Sequence, residues 1–238
     1  MIMGVAISIR GVVTVLLPGT GSDEHYLRRA FDEPLTGAGA VVEVVAPEPG
    51  GLVSGYRRAL DEAGARHGRI AVGGVSLGAA VATAWASGHP RQTVAVLAAL
   101  PPWTGSPGGA PAAVSAHHTA AVLDRDGLEA TTAAMRASSP GWLADELTRS
   151  WARQWPALPD AMREAATYAA PTIAELHRLV TPLGIAAAPD DPIHPYRVAV
   201  EWVSSAPRAA LHEVSLVEFG PQPTLLGAAC LTALAAID

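Results

Sequence analysis

Short runs of β-branched and apolar residues alternate with stretches of helical length through the first 100 residues, and this rhythm constrains the fold more than any other feature. Strands are expected over Val5 to Ile9 and Val12 to Leu17, separated by Arg10-Gly11. There follow a helix over Ser22 to Leu35, a strand over Ala40 to Val45 and a helix over about Val53 to Ala65. A strand over Arg69 to Val72, a helix over about Leu77 to Ser87 and a strand over Thr93 to Leu97 complete the series. Parallel neighbours need a crossover, and helices of this length supply it, so the pattern implies a mainly parallel sheet with helices on both faces. Ligands of such sheets bind at the carboxyl ends of the strands.

The rhythm stops at the Pro/Gly-rich connection Pro101 to Gly109, which can continue neither helix nor strand. From there to about Arg178 four or five helices are expected, punctuated by Asp126-Gly127, Ser139-Pro140-Gly141, Leu158-Pro159-Asp160 and Pro171-Thr172, with Pro140 and Pro171 suited to first turns. An insertion of this kind is either an independent helical domain or a lid over a site on the sheet. Strands over Gly184 to Ala188 and Leu211 to Leu216, with helices over about Tyr196 to Ser204 and Thr224 to Ala236, resume the first pattern.

Composition narrows the chemistry. Half of the 238 residues are hydrophobic and 16% are charged, which excludes disorder as the main state. All 16 basic residues are arginine, so neither a Schiff-base lysine nor a P-loop lysine is available. The net charge of -6 and the scattered arginines argue against nucleic-acid binding, which needs clustered positive charge. The lone Cys230 lies in an apolar, Ala-rich segment and is expected to pack in the core. The N-terminus lacks a basic n-region and is interrupted by Arg10, so it reads as strands rather than as a signal peptide or membrane span, and the expected compartment is the cytoplasm.

The sharpest local signal is Gly74-Val75-Ser76-Leu77-Gly78, a GxSxG pattern between an expected strand and an expected helix. That context suits a nucleophile elbow, in which a tight turn lifts the serine and glycines let backbones pass closely. The competing reading is a plain Gly-rich strand-to-helix turn. With these residues in place, the chain resembles the α/β-hydrolase-fold superfamily over essentially its whole length.

The resemblance implies an α/β-hydrolase core over residues 1–102 and 179–238 and a helical cap over 103–178. It implies Ser76 as nucleophile. Pro18-Gly19-Thr20-Gly21-Ser22-Asp23 resembles the family's oxyanion loop with Pro18 in place of histidine, and the N–H groups of Thr20 and Leu77 would form the oxyanion hole. The same loop also reads as a glycine turn capping the next helix through Ser22 or Asp23. In Asp190-Asp191-Pro192-Ile193-His194-Pro195 the family alignment favours Asp191 over Asp190 as triad acid, against the simpler reading of an Asp-Pro turn. The triad histidine should follow the last strand, yet Phe219 occupies that place in Val217-Glu218-Phe219-Gly220-Pro221.

A serine hydroxyl without a base is a poor nucleophile. Among the eight histidines, His194 shares the acid loop and is the replacement base considered first, while His25 and the pair His117-His118 could also point into the pocket. His67, His89 and His177 fall in connections or cap edges, and His212 lies on the last strand. Adjacent helical residues such as His117 and His118 do not share a face, and no zinc-type ligand spacing occurs, so neither metal nor cofactor is expected. Trp142, Trp151 and Trp155 fit one side of a helix on the core or an aromatic pocket lining, and Trp103, His118 and Phe219 are the candidate pocket residues. The expected partner is an apolar or acyl small molecule. The expected activity is hydrolysis of an ester, thioester or related acyl bond, with a non-hydrolytic member of the same fold as the alternative because of Phe219.

Overall fold

The computed structural model describes residues 7–48 and 50–237. The core is a six-stranded sheet of order β2-β1-β3-β4-β5-β6, formed by β1 (Val13–Leu17), β2 (Val41–Val44), β3 (Ile70–Val75), β4 (Thr93–Ala99), β5 (Leu183–Ala187) and β6 (Ala209–Glu213). All five pairings are parallel. The expected first strand, Val5 to Ile9, falls partly outside the described residues, and residues 7–9 are not strand. The last strand ends at Glu213 rather than Leu216, because Ser215 starts a separate four-residue helix, α9 (Leu216–Phe219).

Alternate residues of each strand supply two cores, as a sheet covered on both faces requires. In β4, Ala95, Leu97 and Ala99 enter one cluster with α1 (Glu24–Gly37) and α10 (Thr224–Ala235), whereas Val96 and Ala98 enter the other. That second cluster holds α2 (Leu52–His67), α3 (Leu77–Gly88) and α8 (Tyr196–Ser205). Buried Cys230 sits on the α10 side, where burial pushes its thiol up to about 12, in line with a packing role.

The segment between β4 and β5 folds as α4 (Pro111–Ser138), α5 (Gly141–Gln154), α6 (Leu158–Thr167) and α7 (Ile173–His177). α4 kinks at Gly127, whose φ of 77° and ψ of 175° break the helical path at the expected punctuation. Pro140 and Pro171 stand just outside their helices instead of in the first turn, and the first turns hold Pro111 and Pro159. Ala120, Leu123, Trp151, Leu158 and Met162 from this segment join Leu17, Tyr56 and Leu77 in one buried cluster. The inserted helices therefore share the core of the sheet. No helix among the described residues is long and apolar enough to cross a membrane.

β3, α3 and the end of β1 pack backbone against backbone. A Cβ on Gly78 would overlap the Leu17 carbonyl, and one on Gly74 would meet the same oxygen at a φ of 158°. Neither obstacle is a side chain that can swing away. Gly78→Ala is expected to lower stability by about 3 kcal/mol or more, read by urea unfolding. A loss below about 1 kcal/mol would mean that this contact is not as tight as described.

Candidate functional site

Strand order reverses between β1 and β3, and the loops leaving these two strands meet at their carboxyl ends, where ligands of open parallel sheets bind. Ser76 follows β3 directly and has φ 54° and ψ -117°. Positive φ costs a non-glycine residue about 1–3 kcal/mol and persists only where the surroundings enforce it. Here the Ser76 N–H donates to the Ala99 carbonyl (2.9 Å) and the Ser76 carbonyl accepts from Ala80 (3.1 Å), so the residue is pinned from both sides. Its side chain has no capping duty in α3, which leaves the hydroxyl free for other partners.

The partner comes from the loop after β5. His194 Nε2 lies 2.9 Å from Ser76 Oγ, and His194 Nδ1 lies 2.8 Å from Asp191 Oδ2. The other Asp191 oxygen accepts the backbone N–H groups of Ile193 (2.7 Å) and His194 (3.2 Å). One carboxylate thus shapes the tight Asp-Pro-Ile-His turn and aims its imidazole, the local bonding at which aspartate excels. With Nδ1 facing a carboxylate, the proton belongs on Nδ1, and the Nε2 lone pair is free to accept the serine O–H.

Burial alone would raise the Asp191 pKa. The hydrogen bond and charge of His194 and the two backbone N–H groups outweigh it and hold the carboxyl below its ordinary value. Asp190 does a different job: it accepts from Leu216 N–H (2.7 Å) and Ser215 Oγ–H (2.8 Å), tying the loop to the start of α9. Adjacent aspartates thus divide the work, Asp191 toward Ser76 and Asp190 toward the fold.

Phe219 is 2% exposed and packs edge-on to Trp142 of α5, with ring centroids 6.3 Å apart. The place expected for a triad histidine holds an apolar anchor for the inserted segment. Trp103 is also buried, and its indole N–H donates to the Tyr168 carbonyl (3.1 Å), joining the exit of β4 to the end of α6. His118 is exposed on the side of α4 opposite the buried Ala113, Ala116 and Ala120 stripe, which turns it away from the packed side of that helix, and His117 is exposed at the flank of that stripe. His25 is half exposed and faces Glu146 of α5. His212 is exposed on β6, His67 pairs with Glu43, and His89 stacks on Trp85.

The loop after β1 passes close to the serine. A Cβ on Gly19 would stand 3.4 Å from Ser76 Cβ. The Gly19 carbonyl accepts the Ser22 N–H (3.1 Å) in a turn that needs positive φ at Gly21 (70°), and Thr20 lies between these two glycines. Leu77, the other expected donor, is the first residue of α3, where the backbone N–H has no partner within the helix.

A family model described as the alpha/beta hydrolase family matches residues 6–219, and the chain belongs to that family. A search of curated proteins finds no sequence match. Among solved structures, a carboxylesterase described from the Thaumarchaeon Nitrososphaera gargenis superimposes with a TM-score of 0.70 at 16% identity, over 87% of this chain and 83% of that one. A thermophilic esterase from Thermogutta terrifontis gives 0.67 at 16% identity, over 94% and 90% of the two chains. A hydrolase from Pseudomonas aeruginosa gives 0.67 at 21% identity, over 95% and 91%. At these identities the likeness is one of fold.

Asp190 and Asp191 carry pKa values below their ordinary 3.8. Above that value both are ionised in folded and unfolded chains, and their stabilising contribution is fully present. Below it the unfolded chain binds protons first, so the contribution is lost as pH falls through the folded-state values. The melting temperature is expected to drop below about pH 4, and Asp191→Asn is expected to flatten that acid limb. An acid limb identical in wild type and variant would contradict the assignment.

Proposed function

We propose that the protein is a serine hydrolase of ester, thioester or related acyl bonds that draws its general base from the acid loop. The observation that carries this reading is the continuous path Asp191 Oδ2, His194 Nδ1, His194 Nε2, Ser76 Oγ, with separations of 2.8 and 2.9 Å at its two hydrogen bonds. Ser76 Oγ attacks the acyl carbon while its proton passes to His194 Nε2, and Asp191 stabilises the imidazolium that results. The carbonyl electrons move onto oxygen, where the N–H groups of Thr20 and Leu77 receive the charge, aided by the positive end of α3. His194 returns the proton to the leaving group as the tetrahedral species collapses to an acyl-serine. Water, deprotonated by the same imidazole, releases the acid and restores the serine.

A base within hydrogen-bond reach is the first requirement of this chemistry. The non-hydrolytic alternative drew its support from an absent base, and no observation now favours it. The esterase and hydrolase names of the structural neighbours agree with acyl transfer. The inserted helices are assigned as a cap covering the acyl side, with Trp103 and Phe219 in its supporting wall and His118 outside it. An apolar or acyl small molecule is the substrate class proposed.

Hydrolysis of p-nitrophenyl acetate is the direct assay. Ser76→Ala and His194→Gln are each expected to lower kcat/KM by about a thousandfold or more. Phe219→His is expected to give no gain, since the base is already present elsewhere. A His194→Gln enzyme within about threefold of wild type, or a large gain in Phe219→His, would overturn this reading.

A further inference from the structure

On α5, Glu146, Arg149, Ser150, Arg153 and Gln154 recur at spacings of three and four and so form one polar face. That face lies across the loop after β1. Arg149 donates both terminal nitrogens to Asp23, at 2.5 Å to Oδ2 and 2.8 Å to Oδ1. Gln154 Nε2 donates to the Ser22 carbonyl (3.0 Å) and to Ser150 Oγ (2.8 Å), and Arg153 donates to Glu24 (2.6 Å). The Trp151 indole covers Gly21, its Nε1 2.9 Å from where a Cβ would stand. Ser22, Asp23 and Glu24, where the loop enters α1, are each held by a different side chain of one inserted helix, and Gly21 lies against a fourth.

The clamp at the centre is not an ordinary surface ion pair. Asp23 is 1% exposed, caps α1 through the His25 and Tyr26 N–H groups, and faces a guanidinium whose Nη2 it shares with Glu146. Glu146 is itself buried and also accepts from Arg29 (3.2 Å). Bidentate arginine fixes direction as well as distance. Asp23, His25 and Glu146 are close enough to suggest a metal cluster, but the two guanidiniums already satisfy these carboxylates and oppose a cation.

Ser22 links this clamp to the reacting end of the loop. Its carbonyl is held by Gln154 and its N–H closes the turn onto Gly19, with Thr20 enclosed between. We infer that Arg149 is a positioning residue: by gripping Asp23 from the inserted segment it fixes the Thr20 N–H over Ser76. This rests on the assignment of Thr20 as an oxyanion donor in the proposed hydrolase. The clamp then couples docking of the inserted segment to completion of the oxyanion hole, an effect on the transition state more than on substrate binding.

The test compares wild type with Arg149→Met and Asp23→Asn; asparagine retains the helix cap but loses the charge. With p-nitrophenyl acetate, both are expected to lose about tenfold to a hundredfold in kcat with KM within about threefold. Hydrogen exchange of the peptide covering residues 18 to 24 is expected to accelerate in both. Should Arg149→Met fail to fold, Asp23→Asn decides alone. Wild-type kcat in folded Asp23→Asn overturns the inference, and so does a lowered melting temperature accompanied by unchanged kcat and exchange, the result of a purely structural anchor. If wild type shows no Ser76-dependent hydrolysis, the hydrolase reading falls. The exchange measurement still decides whether Arg149 orders the Thr20 loop, and unchanged exchange rejects it.

Discussion

The site depends on the two oxygens of Asp191 doing different work. Oδ1 ties down the backbone of Ile193 and His194, and Oδ2 meets the imidazole of His194. The turn and the side chain it presents are therefore fixed by the same carboxylate, three residues away. In the proposed hydrolase this loop supplies the imidazole that a distant strand would otherwise provide. The ring reaches Ser76 because β5 lies beside β4 and β4 beside β3, all parallel, which brings the two loops to the same end of the sheet.

The last connection serves the fold. Asp190 and Ser215 cap α9, and Phe219 becomes a buried support for Trp142 at the start of α5. The far end of α5 grips the loop after β1 through Arg149 and Gln154. One inserted helix thus spans from Phe219 to the loop beside the serine.

The sheet was legible because β-branched runs and helical stretches alternate with a regular period, and the serine because Gly74 and Gly78 are demanded by backbone contacts with Leu17. Asp191 follows from the resemblance to the family pattern, and His194 is the first candidate for a replacement base. Spacing could not settle it, because whether Asp-x-x-His bends into a turn depends on bonds to the Ile193 and His194 N–H groups. The signal present in the sequence was an aspartate placed to accept from the next residues but one and two, followed by an imidazole in the same turn. His118 shows the opposite error, since the polar side of an inserted helix does not reveal by sequence alone whether it faces a pocket or water. The Arg149 and Asp23 pair, 126 residues apart, carries no local signature at all. Its detection required the packing of α5 on α1.

The central claim is that His194 stands between Asp191 and Ser76 with its proton on Nδ1. Nitrogen NMR of protein labelled at histidine tests it most directly, with His194→Gln assigning the resonance. At neutral pH the account predicts a protonated Nδ1 and a bare Nε2 whose signal shifts in Ser76→Ala while the Nδ1–H signal persists. An Nε2-protonated tautomer, or a His194 spectrum indifferent to both Ser76→Ala and Asp191→Asn, would contradict it.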